Sequence, residues 1–218
     1  MAYNFTRAGS QSLSVATAAP IEITGAVSVC CFIKSTGSYS SPVSVLAAKG
    51  SVAIDGRSYT LQLSSDGKVG ANTNPTGAGA NNFITNGTTV IGTNWRHAAH
   101  TYSPSTFTRV YLDGALDGER TSGVPSAVYN TPANLQIGGY VGASLFFNGL
   151  IAEVGIWNAA LTAAEIASLA DGMTCDKIRP QNLVFYAPLV RDLIDQKGGL
   201  TITNNNGASA ANHPRVYA

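Results

Sequence analysis

His97 and His100 stand three positions apart in WRHAAHTYSPSTFTRVYLDGALDGERTSG (Trp95 to Gly123), and Asp113, Asp117 and Glu119 follow within seven residues of one another. Imidazole and carboxylate groups at close spacing can hold a metal or move protons, and each use makes demands on geometry. Residues an odd number of positions apart on a strand project from opposite faces, so His97 and His100 cannot share a metal. No cysteine or second histidine nearby completes a zinc-type set, the third and last histidine being His213. Retaining glycoside hydrolysis needs two carboxyl groups about 5–5.5 Å apart, which on a strand means acids two residues apart. Asp117 and Glu119 form such a pair, but Gly118 between them marks a turn. There is no G-x-S-x-G elbow and no serine in a triad context. No catalytic residue and no metal ligand is assigned, and the chain is expected not to be an enzyme.

The acids read instead as backbone punctuation. Asp113-Gly114 and Asp117-Gly118 favour tight turns because Asp and Gly tolerate positive φ. Asp66-Gly67 repeats the device. Calcium held by a turn carboxylate and nearby carbonyls is the alternative use.

Around these turns lie short apolar or alternating segments: AVSVCCFIK, VSVLAAKG, YTLQLSSDGKVGAN, HAAHTYS, FTRVYLDGALDGE, NLQIGGY and LIAEVGIWN. Val, Ile, Thr and Tyr suit a pleated, half-buried surface, and such segments between turn signals predict an all-β sandwich of more than ten strands. LTAAEIASLADG is the one helix signal. Thr162 and Glu165 form a capping box, Leu161, Ile166 and Leu169 share a face, and Gly172 stops the helix. The Gly/Asn-rich stretch from Gly70 to Thr89 and the closing TNNNGASAANHPRVYA read as exposed loops.

Hydrophobic residues make up 44% of the 218, charged residues only 11%, and the net charge is +1. An ordinary soluble domain carries about 25% charge, so Ser, Thr, Asn and Gly must supply the polar surface. Such a surface suits protein packing or neutral sugars. No basic stripe is present, which argues against nucleic-acid binding. No apolar run approaches the roughly 20 residues that span a bilayer, and MAYNFTRAGSQSLSV lacks the form of a secretory signal. Cys30, Cys31 and Cys175 give no disulfide framework. The adjacent pair should point to opposite faces of a strand, and Cys175 reads as isolated. All three are expected to be buried small hydrophobes of a chain made in a reducing cytoplasm.

The order WRHAAHTYSPSTFTRVYLDGALDG, NLQIGGY, FFNGLIAEVGIWNAALTAAEIASL resembles the concanavalin A-like, laminin-G-type jelly roll. The likeness runs over most of residues 3–172, with YNFTRAGSQSLSV and ITGAVSVCCFIK as its first strands. It implies two packed antiparallel sheets (residues 1–172), a C-terminal extension (173–218) whose strands complete or extend the sandwich, and ligands at the rim or on one sheet face. Trp95 and Trp157 would pack in its core strands. Members include sugar-binding and adhesive modules, often with calcium, and glucanases. Ser103-Pro104 and Ala152 stand where carboxylates are usual, so calcium is unsupported and no cofactor is expected. The Glu-x-Asp-x-x-Glu strand of glucanases is missing as well.

An aromatic face beside amide donors is the usual sugar platform, and it points to Asn81, Asn82 and Phe83, and to Tyr140 after Gly138-Gly139, as candidate ligand-binding residues. Free-standing domains of this type resemble virion-associated proteins of tailed phages. That likeness implies a structural protein on the virion surface (capsid decoration or fibre), made in the host cytoplasm without a signal peptide. Its partners would be other virion proteins or itself, as an oligomer or on a lattice, and glycans; nucleic acid and membrane are not expected. The alternative is a dedicated carbohydrate-binding lectin. Strands near Leu183–Ala187 and Leu200–Thr203 are expected to pair beside the N-terminal strand, closing an open edge within the chain or on a neighbour.

Overall fold

A computed structural model of the chain describes residues 2–35, 43–51, 56–76, 82–90, 92–140, 143–190 and 192–217, with backbone only for 82–87. The strands among them are β1 (Ala2–Phe5), β2 (Ser12–Val15), β3 (Val27–Ser35), β4 (Val43–Ser51), β5 (Gly56–Ser64), β6 (Lys68–Thr73), β7 (Asn82–Thr89) and β8 (Arg96–Ser103). They continue with β9 (Phe107–Leu112), β10 (Ala115–Arg120), β11 (Leu135–Ile137), β12 (Gly149–Trp157), β13 (Leu183–Ala187), β14 (Ile202–Asn205) and β15 (Ser209–Ala211). Helix α1 is Ala163–Ala170.

Strand alternation decides the architecture. One sheet runs β10-β9-β8-β3-β12-β1-β15 with β13 also on β12; the other runs β14-β2-β11-β4-β5-β6-β7. Every strand pairing among the described residues of the two sheets is antiparallel: β3 with β8, for example, and β5 with β6. Phe5, Val29, Ile33, Val110, Ile151 and Phe185 of the first sheet meet Leu13, Leu46, Leu61, Ala71, Leu135 and Ile137 of the second in one apolar core. This is the expected all-β sandwich. Burying a side chain of this size stabilises the fold by roughly 1.5–3 kcal/mol.

The period of two also separates neighbours in sequence. Cys31 joins the inter-sheet core, while Cys30 lies on the outer face of the eight-stranded sheet with Trp157, Leu161, Ile166 and Leu169. His97 pairs with Phe32 on that outer face; His100 faces inward and contacts Thr108 at 3.0 Å. Burial pushes His100 down to about 3, so it is neutral in the core. Helix α1 covers the outer face with the capping box in place: Thr162 Oγ1 accepts from Glu165 N–H, and a Glu165 carboxylate oxygen accepts from Thr162 N–H. The turn of the β9–β10 hairpin tucks under this helix. A Cβ on Gly114 would lie 3.0 Å from Ala167 Cα.

Four expectations need correction. Asp113-Gly114 forms the two-residue turn, with φ of 48° and 82°, but Asp117-Gly118 makes no second turn. It is an irregularity inside β10, where pairing with β9 continues to Arg120. The stretch from Gly70 to Thr89 is not a loop: β6 and β7 form a hairpin, because the Gly and Asn concentrate in its connection while FITNGTT keeps a strand pattern. Trp95 lies outside the inter-sheet core, partly buried against Ala2, Phe32 and Ala152; Trp157 is fully buried, but under α1 and not between the sheets. The closing residues are strands as well as turns. β14 pairs with β2 in one sheet and β15 with β1 in the other, while β13 pairs with β12 and not with the N-terminal strand.

Strand β12 carries two neighbours end to end on one side. Tyr3–Phe5 of β1 pairs with its first half, and Leu183–Ala187 of β13 with its second. Between the halves, Glu153 adopts φ of 54°, a left-handed conformation rare for a side chain of this kind. Its carboxylate is buried (4% exposed), accepts 2.6 Å from Tyr186 Oη, and lies 3.1 Å from His213 Nε2. The His213 ring also meets the carbonyls of Pro214 (2.8 Å) and Pro188 (3.1 Å). Partial burial works against the charged imidazole, yet these acceptors prevail and raise its pKa.

His213 adds stability in full below its unfolded pKa of about 6.5 and loses it as pH rises through the higher folded value. Comparing the Tm of wild type with that of His213→Gln across neutral pH should show the largest gap on the acid side, narrowing upward. A gap that widens upward would contradict the clasp. Deleting residues 200–218 removes β14 and β15 and uncovers β1 and β2, so the truncated chain should be recovered mainly in the insoluble fraction.

Candidate functional site

Asp113 and Glu119 are occupied in holding the hairpin. Asp113 accepts from Arg96 Nε at 2.5 Å and from His97 N–H at 2.9 Å, and Glu119 pairs with Arg109 at 2.6 Å across β9–β10. Among the described residues no group of three His, Cys, Asp or Glu could hold a metal. Lys49, 1% exposed, spends its ammonium on Thr17 Oγ1, the Thr131 carbonyl and the Ala133 carbonyl. Burial brings it down to about 8, against the pull of Glu22.

Two surfaces remain. On the outer face of the seven-stranded sheet, register aligns Thr203, Ser14, Gln136, Ala48, Thr60 and Asn72 in a row. Asn81 lies outside the described residues; Asn82 and Phe83 sit on edge strand β7, opposite Thr73 and Asn72. Tyr140 belongs to this face but is 3% exposed, its ring packed on Val45 and Ala48 with Ala143 and Leu145 around it. Residues 138–140 and 143–147 fold back over the sheet, closed by Phe147 N–H donating to Gly138 O (2.8 Å) and Val45 N–H to Leu145 O (3.2 Å). Gly50 leaves the room that the Tyr140 hydroxyl fills, since a Cβ there would lie 2.6 Å from it. Tyr140 is thus a floor and not the exposed stacking platform expected. Burial pushes it up to about 12, with Arg57 opposing.

The other surface is an open hollow of about 610 Å³ lined by Ser168, Asp171, Met173, Lys177 and Tyr217. The C-terminal tail builds it. Tyr217 N–H donates to Gly172 O (2.6 Å) and Thr174 N–H to Tyr217 O (3.3 Å), laying the tail beside the end of α1. Gly172, at φ of 103°, backs the Tyr217 ring, and a Cβ there would lie 3.2 Å from it. The ring itself is 59% exposed and Met173 41%. Lys177 reaches Asp176 at 3.0 Å in an ion pair about half open to solvent. One aromatic ring backed by backbone, one hydroxyl, one carboxylate and one ammonium thus converge on a space in the range of small-ligand sites.

A family model, the concanavalin A-like lectin/glucanases superfamily, matches residues 7–167. The chain belongs to this superfamily. No curated protein sequence matches it. Among solved structures, a proposed carbohydrate-binding protein from Bacteroides ovatus superposes with a TM-score of 0.69 at 17% identity, over 100% of this chain and 61% of that one. The chain therefore spans less than two thirds of that protein. The heptameric SAP-like pentraxin of Limulus polyphemus gives 0.59 at 16%, over 92% and 94%. The CBM40 of the Ruminococcus gnavus IT-sialidase, bound to alpha2,3 sialyllactose, gives 0.60 at 15%, over 74% and 94%. At these identities the likeness establishes the shared superfamily fold.

Sequence reasoning missed Tyr217, Met173 and Lys177 because they converge only when the tail returns to the end of α1. The usable signal was two exposed-type apolar residues, Met173 and Tyr217, in segments otherwise rich in polar and turn residues. Among the described residues the Tyr140 hydroxyl is enclosed without a hydrogen-bond partner. Tyr140→Phe should therefore leave the unfolding free energy unchanged or raise it by up to about 1 kcal/mol; a clear loss in denaturant melts would mean that the hydroxyl is bonded.

Proposed function

We propose that this chain is a non-enzymatic glycan-binding module that seats a sugar in the hollow at Tyr217. The observation that carries the reading is the exposed tyrosine ring, backed by Gly172 and ringed by Ser168, Asp171 and Lys177. A pyranose presents apolar C–H groups on one face and hydroxyls at its edge. The ring suits the first; the carboxylate accepts from the second, Lys177 donates to it, and Ser168 Oγ, whose proton goes to the Ala164 carbonyl, accepts. The carbohydrate-binding neighbours and the low charge of the chain support the same reading.

A second reading concerns place: display on the surface of a tailed-phage particle, where the sandwich would pack on other virion proteins or on copies of itself. It is favoured by a surface that carries few charges to repel a neighbour. Mass spectrometry of purified particles tests it: a copy number matching the capsid lattice supports decoration, and absence removes it.

For the glycan reading, an array of soluble saccharides should give binding that survives EDTA, because the hollow needs no metal. Tyr217→Ala should weaken that binding by about tenfold or more, the loss expected for removing a stacked ring. Asn72→Ala, on the opposite sheet, should leave it unchanged. Binding abolished by Asn72→Ala and untouched by Tyr217→Ala would move the site to the seven-stranded sheet.

A further inference from the structure

Cys30 and Cys175, 145 positions apart in the chain, meet on the outer face of the eight-stranded sheet. The meeting has a steric cause. Cys30 on β3 pairs with Gly155 on β12, and Gly155 has no side chain to fill the space above that pair. Cys175 Sγ and the Trp157 ring fill it, 2.7 and 2.5 Å from where a Cβ on Gly155 would stand. There the Cys175 thiol donates to the Glu153 carbonyl at 3.8 Å and shares one buried cluster with Cys30. The expectation that Cys175 is isolated is therefore corrected. Both sulfurs are buried, and all three cysteines are free thiols.

His97 lies on the same outer face at the next same-face pair along, opposite Phe32, as Ala99 is opposite Cys30. Its ring meets Phe32 edge-on, with centroids 5.0 Å apart, and both ring nitrogens are enclosed without a hydrogen-bond partner among the described residues. Cys175, with help from His97 and the Gly155 backbone, holds the Cys30 thiol below its ordinary range against burial. Burial raises Cys175 and Cys31, leaving Cys30 as the nucleophile of the three.

We infer that Cys30, Cys175 and His97 form an oxidisable dithiol site, in which a hydroperoxide converts the two thiols into a Cys30–Cys175 disulfide. Cys30 gives its proton to His97, and its thiolate attacks the terminal oxygen of the peroxide. An S–O bond forms and the O–O bond breaks; the leaving oxygen takes the proton back from His97, so hydrogen peroxide releases water. Cys175 then attacks the sulfenic sulfur, forming S–S and breaking S–O, and its own proton leaves with the hydroxide as a second water. The thiols lose two electrons, which reduce the peroxide. The new bond would tie the turn at Cys175–Lys177, one wall of the Tyr217 hollow, to the middle of β3. It does not depend on what the hollow binds.

The test treats the folded full chain with hydrogen peroxide, then denatures it and labels free thiols. Expected is the loss of two thiols of three, a Cys30–Cys175 crosslink in the unreduced peptide map, full reversal by dithiothreitol, and a Tm raised by several degrees. Cys175→Ser should stop at a Cys30 sulfenic acid that dimedone traps. His97→Phe should slow the reaction with peroxide at least tenfold. Three labelled thiols after prolonged exposure, or a link between Cys30 and Cys31, would overturn the site; so would a dimedone adduct on Cys175 in preference to Cys30.

Discussion

A buried carboxylate governs how this sandwich is put together. Glu153 stands in the middle of β12, where a left-handed residue breaks the ladder and hands one side of the strand from β1 to β13. A charge taken out of water is costly unless paired and hydrogen-bonded. Here the partners come from two distant segments, Tyr186 on β13 and His213 in the tail. Neither segment can detach without leaving the carboxylate exposed to an apolar surround. One side chain thus obliges β13 and the segment around His213 to cover the sheet formed by earlier strands, and the tail so fixed is the one that carries Tyr217.

This ordering explains what could be read from sequence. Strand alternation made the sandwich legible, and the two-residue period sorted His97 from His100 and Cys30 from Cys31 before any coordinates. The capping box of Thr162 and Glu165 and the turn at Asp113-Gly114 are local, each decided by groups within a few residues, and both stand as read. Asp117-Gly118 misled because the same dipeptide that bends a free hairpin can be held straight by pairing with β9. Gly70 to Thr89 misled because composition averaged a short connection with the two strands around it.

The candidate sites were less legible, for a different reason. Each depends on contacts between residues remote in sequence. Tyr140 carries the features of a sugar platform, yet its ring packs on Val45 and Ala48. Tyr217 sits in a stretch that reads as loop, and only the hydrogen bonds to Gly172 and Thr174 turn it into a wall. The pairing of Cys175 with Cys30 rests on a missing side chain at Gly155, which no motif announces. Absence of bulk at one position is visible in sequence; what fills it is not.

Strands far apart along the chain are neighbours here: β1 lies between β12 and β15, and β2 between β11 and β14. Contacts this remote along the chain are slow to form, because the loop must close before it is rewarded. During synthesis, β1 and β2 therefore leave the ribosome with no lasting partner on one flank until residues 202–211 have been added. For most of that interval the nascent chain presents two bare strand margins, and its need for protection by chaperones falls when residues 202–211 emerge.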